Sequence, residues 1–304
     1  MTRKEKYNLR SMRKYGWGPE DIGLSPSASL SEVELQVREL QAAWELSVDG
    51  LVGPMTSRRL LLERERRQAY EYTDDKEGTV ELNGRLVNVD FNAHPFGAPI
   101  PKTYTEVYDL TKYSKPRKNP PINVVWHWDV CTSAARCYRA LKARKLSSHG
   151  CIDNDGTFYQ FLDFGERYGW HAGSKANKPS IGIDISNAVY TKYNKLYEER
   201  GYGKRPEITA KVNGYRHKRF LGYYPAQIET AKKLAMFLHD YLGIELATPL
   251  DLRSETDNNV ISSPHKFRGH IAHYHISKMK WDVAGFPFKY VIGDEADYEF
   301  NLAK

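Results

Sequence analysis

Three separated stretches of the sequence contain imidazole and carboxylate side chains of the kinds that bind metal ions. His127 lies near the end of the apolar run INVVWHWD, His171 lies in YGWHAGS, and the run HIAHYHISKMKWD extends from His270 to Asp282. A catalytic zinc takes about three protein ligands from His, Asp, Glu or Cys and leaves one position to water. Because the chain has 10 histidines, these residue types alone fit packed or surface histidines as well as a metal centre.

The segments around these residues predict a sheet that presents polar groups at the ends of its strands. INVVWHWD predicts a buried strand, TSAARCYRALKARK predicts a helix, and CIDNDGTFYQFLD predicts a hairpin that turns at Asp155-Gly156. A further helix begins at Pro225, and one of its faces consists of Ile228, Leu234, Leu238 and Tyr241. The alternation of strand and helix predicts an α/β fold with a central mixed β-sheet flanked by helices.

The first part of the chain predicts a small helical domain over residues 1–68. Ser31 and Glu34 have the spacing of a capping box at the start of a helix that reaches residue 46. The apolar residues that recur there at helical intervals are Val33, Val37, Leu40 and Trp44. SVDGLVGP then contains turn signals, and Pro54 begins a second helix. From residue 69 to 119 we predict a connector and an edge hairpin that turns at Asn83-Gly84.

The composition limits the classes of partner. The formal charge of +7 and the pI of about 9.0 fit an anionic partner such as nucleic acid, an acidic polymer or a membrane surface, and equally a solvated basic surface. No apolar run reaches the roughly 18 residues that span a bilayer, and the N-terminus lacks the apolar region of a signal peptide. The 3 cysteines leave at least one unpaired, which favours a reducing compartment, with a Cys131–Cys137 bridge as the alternative.

Five blocks in the second half of the chain carry a family resemblance. In order they are VVWHWDV, LSSHGCIDNDGTFYQFLD, WHAGS, SIGIDISN and HYHISKMKWD. This order resembles the type 2 N-acetylmuramoyl-L-alanine amidases, whose fold is shared by phage lysozyme-type amidases and peptidoglycan-recognition proteins. The resemblance covers about residues 120 to 290, except for an enlarged insertion within residues 188–243. It implies a zinc amidase domain over residues 120–304, with the insertion at about 188–224.

A second resemblance lies in LQAAWELSVDGLVGPMTSRRL, residues 40–60. This run is similar to the core repeat of the three-helix peptidoglycan-binding domain found on wall hydrolases. The residues that match its pattern are Leu46, Val48, Asp49, Gly50, Gly53 and Thr56. Because the glycines and the aspartate shape a loop, the match is structural, and it implies wall binding only by analogy.

The amidase resemblance also implies roles for individual residues. It places the zinc ligands at His127, at His273 and at Asp282, with His275 and then His270 as alternatives for the second ligand. Lys280 is expected to stabilise the oxyanion, although a solvated lysine is the simpler interpretation without the family pattern. For His149 and His265 we expect structural or surface roles.

The general base is less well defined by the family pattern. Where some members have a tyrosine, this sequence has Ser148, so that role is vacant. Where others have a glutamate, it has Asp184, which we expect to act as base or to orient water, the alternative being an aspartate that only hydrogen-bonds the sheet. His171 is expected to add a hydrogen-bond donor or to contact the substrate.

The aromatic residues near the five blocks allow two interpretations. They either line a groove for the sugar and peptide or pack in the core, and they are Trp126, Trp128, Trp170 and Trp281. The Tyr-rich and basic insertion at 188–224 is expected either to form a lip that grips anionic wall polymer or to be a solvated surface excursion.

Together these expectations describe a zinc-dependent peptidoglycan hydrolase, most simply a monomeric phage endolysin. Such an enzyme would stay in the host cytoplasm until lysis and then reach the cell wall, without nucleic acid or stable membrane insertion. The alternatives are a bacterial autolysin or recycling amidase, and a recognition protein that keeps the fold without the metal. A nucleic-acid-binding protein is supported by net charge alone.

Overall fold

The computed structural model describes residues 1–43, 46–57, 59–60, 78–97, 107–249, 259–293 and 302. The chain divides into two compact units, Met1–Asp74 and Asp75–Lys304. The predicted boundary between residues 68 and 69 lies outside the described residues, so the division into 1–68, 69–119 and 120–304 stays a prediction. Among the described helices, none combines the length and the apolar character needed to cross a membrane.

The first unit begins with two helices, α1 (Arg3–Tyr15) and α2 (Leu30–Ala43). The predicted capping box of α2 was wrong by two residues. The box is formed by Ser29 and Glu32, whose backbone nitrogens donate to each other's side chains over 2.7 and 3.3 Å. Glu34 instead pairs with basic side chains, at 3.3 Å from Lys4 and 3.1 Å from Arg38. Trp44, placed on the same helix face by its spacing, lies outside the described residues.

Helix α1 is not predicted by apolar periodicity, because its thirteen residues contain few apolar side chains. The signal that marks it is a capping box between Thr2 and Glu5, and the helix ends at Gly16 in the left-handed conformation. Residues 54–57 and 59–60 are also helical. The apolar core that these segments share consists of Trp17, Ile22, Val33, Val37, Val52 and Leu60.

The loop between α2 and residue 54 is held by two buried amides. Gln41 accepts a hydrogen bond from the backbone nitrogen of Gly50 at 2.8 Å and donates to Thr56 at 3.2 Å. Asn8 donates to the carbonyl of Gly50 at 2.9 Å. Gly50 has a φ of +75°, which favours glycine. The residues of the peptidoglycan-binding pattern therefore form this loop, as the sequence predicted.

The described residues of the second unit form twelve strands, and the unit is a mixed α/β structure with a central mixed sheet, as predicted. The strands are β1 (Gly78–Leu82), β2 (Arg85–Val89), β3 (Ala93–His94), β4 (Ser114–Pro116), β5 (Asn123–Trp128), β6 (Gly150–Ile152), β7 (Phe158–Gln160), β8 (Arg167–Gly169), β9 (Ser180–Ile185), β10 (Glu207–Val212), β11 (Tyr215–Leu221) and β12 (Gly269–Ala272). The central sheet has the order β12-β5-β9-β6-β7-β3. Its first four strands are parallel, β6 and β7 are antiparallel, and β7 and β3 are parallel.

Five α-helices accompany this sheet in the described part of the unit. They are α3 (Ala134–Arg144), α4 (Ser174–Asn177), α5 (Asn194–Glu199), α6 (Pro225–Leu242) and α7 (Phe288–Ile292). In α6 the predicted core face holds for Ile228, Leu234 and Leu238, which are all buried. Tyr241 was wrongly assigned to that face, since 55% of its side chain is exposed. It is the second-last residue of α6, and its ring stacks on that of Phe237 at a centroid distance of 4.6 Å.

The two faces of the central sheet differ in chemistry. Along β5, Val124, Trp126 and Trp128 belong to the main apolar core together with the buried residues of α6. Since side chains alternate along a strand, His127 points to the opposite face. Asp184 on β9 is the residue paired with His127, so it faces the same way. This second face therefore carries polar groups near the carboxyl ends of β5 and β9, whereas Val125, earlier on the same face, belongs to a smaller apolar cluster.

The predicted edge hairpin forms but does not join the central sheet. Strands β1 and β2 make a separate two-stranded sheet that turns at Asn83-Gly84, where both residues have positive φ. The edge of the central sheet is β3, which pairs with β7. The insertion also has structure of its own, because it contains α5 and the hairpin β10–β11.

Candidate metal centre

The ligand residues expected from the sequence meet at the carboxyl ends of neighbouring parallel strands. His127 is the second-last residue of β5, and His273 directly follows the adjacent strand β12. Because parallel strands end at the same edge of a sheet, both imidazoles reach the same space. Asp282 lies in the loop that follows residue 275. The backbone nitrogen of Tyr274, in the turn after β12, donates to the carbonyl of Asp282 at 3.2 Å and holds this loop beside the strand end.

Three potential ligand atoms form a nearly equilateral triangle. The Nδ1 atoms of His127 and His273 are 3.1 Å apart, and they lie 3.1 and 3.0 Å from Oδ2 of Asp282. Ligand atoms about 2.0–2.1 Å from a tetrahedral zinc are separated by roughly 3.3 Å, so the triangle has the right size. Burial raises the pKa of Asp282, but the contacts with the two imidazoles outweigh burial and hold that pKa below its ordinary value. Asp282 is thus a carboxylate.

A chain of hydrogen bonds fixes which nitrogen of His127 carries the proton. The Ser180 hydroxyl donates to the carbonyl of Ala176 at 2.6 Å, so its oxygen accepts from Nε2 of His171 at 3.1 Å. His171 is neutral, because burial and then the nearby His127 lower its pKa. Its Nδ1 must therefore accept from Nε2 of His127, 3.0 Å away. In the neutral form of His127 that has its proton on Nε2, the lone pair of Nδ1 is directed at the triangle.

In that tautomer no proton lies between Nδ1 of His127 and the Asp282 carboxylate, whose Oδ2 is 3.1 Å away. A cation at the centre of the triangle would bind all three ligand atoms, and the donor set of two imidazoles and one carboxylate is one that zinc accepts. The residues present therefore fit a zinc ion.

Glycine at residue 182 makes room for this arrangement. A Cβ atom there would lie 2.5 Å from the ring of His171. The His171 ring thus lies flat against the backbone of β9, where it reaches both His127 and Ser180. This close approach explains why the SIGIDIS block carries a glycine in the middle of a central strand.

Asp184 lies beside the triangle and is buried. Burial raises its pKa, and the carboxylate of Asp282 adds to the rise, whereas His127 and hydrogen bonds from Ser148 and Cys137 oppose it. A carboxyl with a raised pKa in a cleft is suited to exchange protons near neutral pH. Ser148, which stands where some family members have a tyrosine, therefore supports Asp184 through a hydrogen bond.

A cavity of about 300 Å³ opens beside the triangle. Its lining includes the two histidines of the triangle and Asp282, together with Asp184, His171, Lys280, Trp170 and Trp281. Lys280 is exposed at this cavity, so its ammonium is free to approach a bound molecule. Of the four tryptophans singled out by the sequence, Trp128, Trp170 and Trp281 line the cavity. Trp126 does not, since it is fully buried in the core and donates to Nδ1 of His270.

The other histidines of the sequence blocks lie outside the triangle. His275 accepts from the backbone nitrogen of Ala272 at 2.8 Å, and His149 accepts from that of Gly182 at 3.0 Å. His270 packs against Trp126. Burial lowers the pKa of each of these three to about 3, so they are neutral core residues. His265 is half-buried in a short 3-10 helix.

The cysteines are all free, so the alternative Cys131–Cys137 bridge was wrong. Cys137 instead lies near Cys151 and Asp129, and their ligand atoms are within 4.8 Å of one another. Burial raises the pKa of both thiols well above the ordinary value, so both are protonated. Protonated thiols are poor metal ligands, which leaves the His127, His273 and Asp282 triangle as the better site.

Comparisons with known proteins agree with this description. The family model for N-acetylmuramoyl-L-alanine amidases of type 2 matches residues 117–284, more than half of the chain. The chain therefore belongs to the type 2 N-acetylmuramoyl-L-alanine amidase family. No curated protein matched the chain.

Several solved structures are similar at low identity. The amidase LysC from Clostridium intestinale is 17% identical, covering 57% of this chain and 83% of its own, with a TM-score of 0.34. AmiD from E. coli, solved with anhydro-N-acetylmuramic acid-L-Ala-D-gamma-Glu-L-Lys, is 20% identical over 70% and 64%, with a TM-score of 0.35. The Drosophila peptidoglycan recognition protein SA is 15% identical over 59% and 81%, with a TM-score of 0.34.

Proposed function

We propose that the protein is a zinc-dependent amidase that cleaves the bond between N-acetylmuramic acid and the L-alanine of the peptidoglycan stem peptide. Family membership supports the substrate and the bond. The observation that carries the zinc dependence is the triangle of His127, His273 and Asp282, whose three potential ligand atoms lie 3.0 to 3.1 Å from one another. A zinc ion held there would polarise the amide carbonyl and lower the pKa of bound water toward neutrality.

Two further residues of the cavity have roles in this reaction. Asp184 takes a proton from the attacking water and returns it to the amine that leaves, for which its raised pKa is suited. Lys280 places a positive charge at the cavity, where negative charge develops on the carbonyl oxygen during attack. Both residues lie beside the metal ligands, Asp184 across the strand pair from His127 and Lys280 two residues before Asp282.

His171 has a positioning role in this proposal. Both of its ring nitrogens are engaged, one by His127 and the other by Ser180, so it has no free nitrogen for the substrate. Instead it orients the imidazole of His127 and selects the tautomer that binds metal through Nδ1. Such partners of metal-bound histidines contribute substantially to metal affinity.

We expect His171→Phe to weaken zinc binding about 10- to 100-fold, because a phenyl ring keeps the packing over Gly182 but cannot accept from His127. Competition with a chromophoric chelator measures the affinity. His265→Phe is the matched control and should bind zinc as the wild type does. If the zinc affinity of His171→Phe is unchanged, His171 does not position His127, and the expected contact with the substrate becomes the better explanation.

The proposal extends to a phage endolysin that acts as a monomer. The first unit resembles a peptidoglycan-binding domain, and its loop pattern is intact, which supports attachment to the wall. In this role the enzyme stays in the host cytoplasm until the membrane is permeabilised and then reaches peptidoglycan. An autolysin has the same chemistry but is exported by its own cell.

The alternative function, a recognition protein that binds peptidoglycan without cleaving it, differs from the amidase in that it needs no metal. A protein that only binds peptidoglycan does not need a complete ligand triangle, whereas this chain retains all three ligand atoms in contact distance. Zinc analysis of the purified protein separates the two functions, since a pure binding protein should carry no stoichiometric metal.

Mass spectrometry of digested peptidoglycan tests the reaction. We expect stem peptides with free L-alanine amino termini, and glycan strands without peptide. Products cut within the glycan or within the peptide would rule out the proposed bond. Expression in a bacterial host tests the endolysin role: lysis should follow only after chemical permeabilisation of the inner membrane, and spontaneous lysis would favour an exported autolysin.

A further inference from the structure

The hairpin β10–β11 of the insertion contacts both chain segments that carry the second and third proposed ligands, His273 and Asp282. The side chain of Asn213, at its turn, donates to the carbonyls of Tyr274 and of Lys280, both at 3.4 Å. Tyr274 follows the ligand His273, and Lys280 precedes the ligand Asp282 by two residues. One amide therefore links the two segments. Its oxygen also accepts from the backbone nitrogen of Val260 at 3.0 Å, which fixes its orientation.

The same hairpin encloses Trp281, the residue between Lys280 and Asp282. His217 stacks on the indole with a centroid distance of 4.1 Å and an interplanar angle of 4°. Phe220 meets the indole edge-on at 5.2 Å, and Trp128 of the central sheet does so at 4.8 Å. Two of the three rings around Trp281 thus come from the insertion, and they restrict where the backbone of its neighbours lies.

Contacts continue beyond Asp282. The Tyr223 hydroxyl donates to the carbonyl of Ala284 at 3.0 Å. Gly285 has a φ of +68°, and a Cβ atom there would lie 2.7 Å from Ile208 of β10. The insertion therefore touches the loop at residues 280, 281, 284 and 285, on both sides of the carboxylate ligand.

The insertion itself is anchored firmly. Arg205 is buried and donates to the carbonyls of Gly222 and Ser186, at 2.8 and 2.7 Å, and to Gln227 at 3.0 Å. Its guanidinium lies over the rings of Tyr197 and Tyr224. Since Ser186 directly follows β9 and Gln227 lies in α6, these bonds join the insertion to the end of a central strand and to the helix that packs on the sheet. A solvated surface excursion would not have such a buried anchor.

We propose that the insertion at 188–224 is a brace that positions the Lys280–Asp282 segment relative to His273, with Asn213 and His217 as its positioning residues. Asn213, His217, Phe220 and Tyr223 contact this loop, whereas Tyr215 is 68% exposed. The brace positions the segments that carry His273 and Asp282 without supplying a ligand atom of its own. This inference depends on the proposed function only for the identity of the metal.

Asn213→Gly is the sharpest variant. Asn213 and Gly214 form a two-residue turn with φ of +49° and +81°, and glycine keeps that turn while it removes the amide. The chain contains a matched control, because Asn83 and Gly84 form the equivalent turn of β1–β2 with φ of +53° and +70°. Asn83→Gly makes the same chemical change in a turn whose hairpin forms a separate sheet.

Hydrogen exchange of the metal-free full-length protein is the first measurement. In Asn213→Gly we expect about tenfold faster exchange of amides within residues 273–284, among them the Tyr274 amide bonded to Asp282. Asn83→Gly should leave these rates unchanged. Equal rates in Asn213→Gly and wild type, or the same acceleration in Asn83→Gly, would overturn the brace. This readout does not depend on zinc or on activity.

Zinc affinity and steady-state kinetics provide the second measurement. We expect zinc binding about tenfold weaker in Asn213→Gly and in His217→Ala, a lower kcat, and a KM within twofold of wild type. His217→Phe keeps a flat ring on Trp281 and should restore both values. A raised KM with unchanged zinc affinity would show that the insertion grips substrate and would contradict the brace. If wild type binds no zinc, the proposed function fails, while hydrogen exchange still decides the brace.

Discussion

Replacement of His127 or Asp282 by alanine is expected to remove stoichiometric zinc and to lower amidase activity by at least about a thousandfold. Each residue supplies one of three ligand atoms that lie within 3.1 Å of one another, and two remaining ligands hold zinc poorly. Zinc content by atomic spectroscopy and release of stem peptides from purified walls measure the two effects.

Wall binding separates this effect from loss of folding. Full-length His127→Ala and Asp282→Ala should still sediment with insoluble peptidoglycan as wild type does, because the wall-binding domain is proposed to lie within residues 1–68. His265→Ala, which changes a half-buried histidine outside the triangle, should keep both zinc and activity. If either ligand variant retains its zinc and a tenth of the activity, the ligand assignment is wrong.

Asp184→Asn is expected to lower kcat by about 100-fold or more, with zinc affinity changed less than threefold. Asparagine keeps the size of the side chain and can still accept from Ser148, but it cannot take a proton from water. The loss should therefore lie in the chemical step. Single-turnover cleavage of a muropeptide at saturating zinc measures it.

Two further variants make the test of Asp184 specific. Asp184→Glu should retain more activity than Asp184→Asn, since the carboxyl is kept and glutamate occupies this position in other family members. Asp240→Asn makes the same change at an exposed residue of α6 and should have wild-type activity. A loss smaller than tenfold in Asp184→Asn would leave Asp184 only the structural role of a hydrogen-bonded residue in the sheet.

Local sequence patterns determined much of this fold. The apolar run before His127 predicted β5, and the pairs Asn83-Gly84 and Asp155-Gly156 predicted two of the hairpins, β1–β2 and β6–β7. These signals are reliable because they depend on residues close in sequence, through strand burial and the positive φ of turn residues. The helix α1 was missed, because its polar composition gives little apolar periodicity and only its capping box marks it.

The blocks around His127, Asp184 and Asp282 were likewise sufficient for the family, which the match over residues 117–284 confirms. Their roles as ligands and base stay predictions until the variants above are measured. The amidase resemblance implied that they share one site, and the structure gives the physical reason for His127 and Asp184, which lie side by side near the carboxyl ends of the parallel strands β5 and β9.

The tertiary structure decided what these local patterns left open. The alternatives His273, His275 and His270 differ by only a few residues, and the short turn after β12 directs His273 toward His127 while His275 turns back to the Ala272 nitrogen. The engagement of both His171 nitrogens and the packing of the insertion on Trp281 also depend on partners distant in the chain. Periodicity determines which face a side chain occupies, but the direction of a side chain beyond a strand end is set by turns and contacts that only the folded chain brings together.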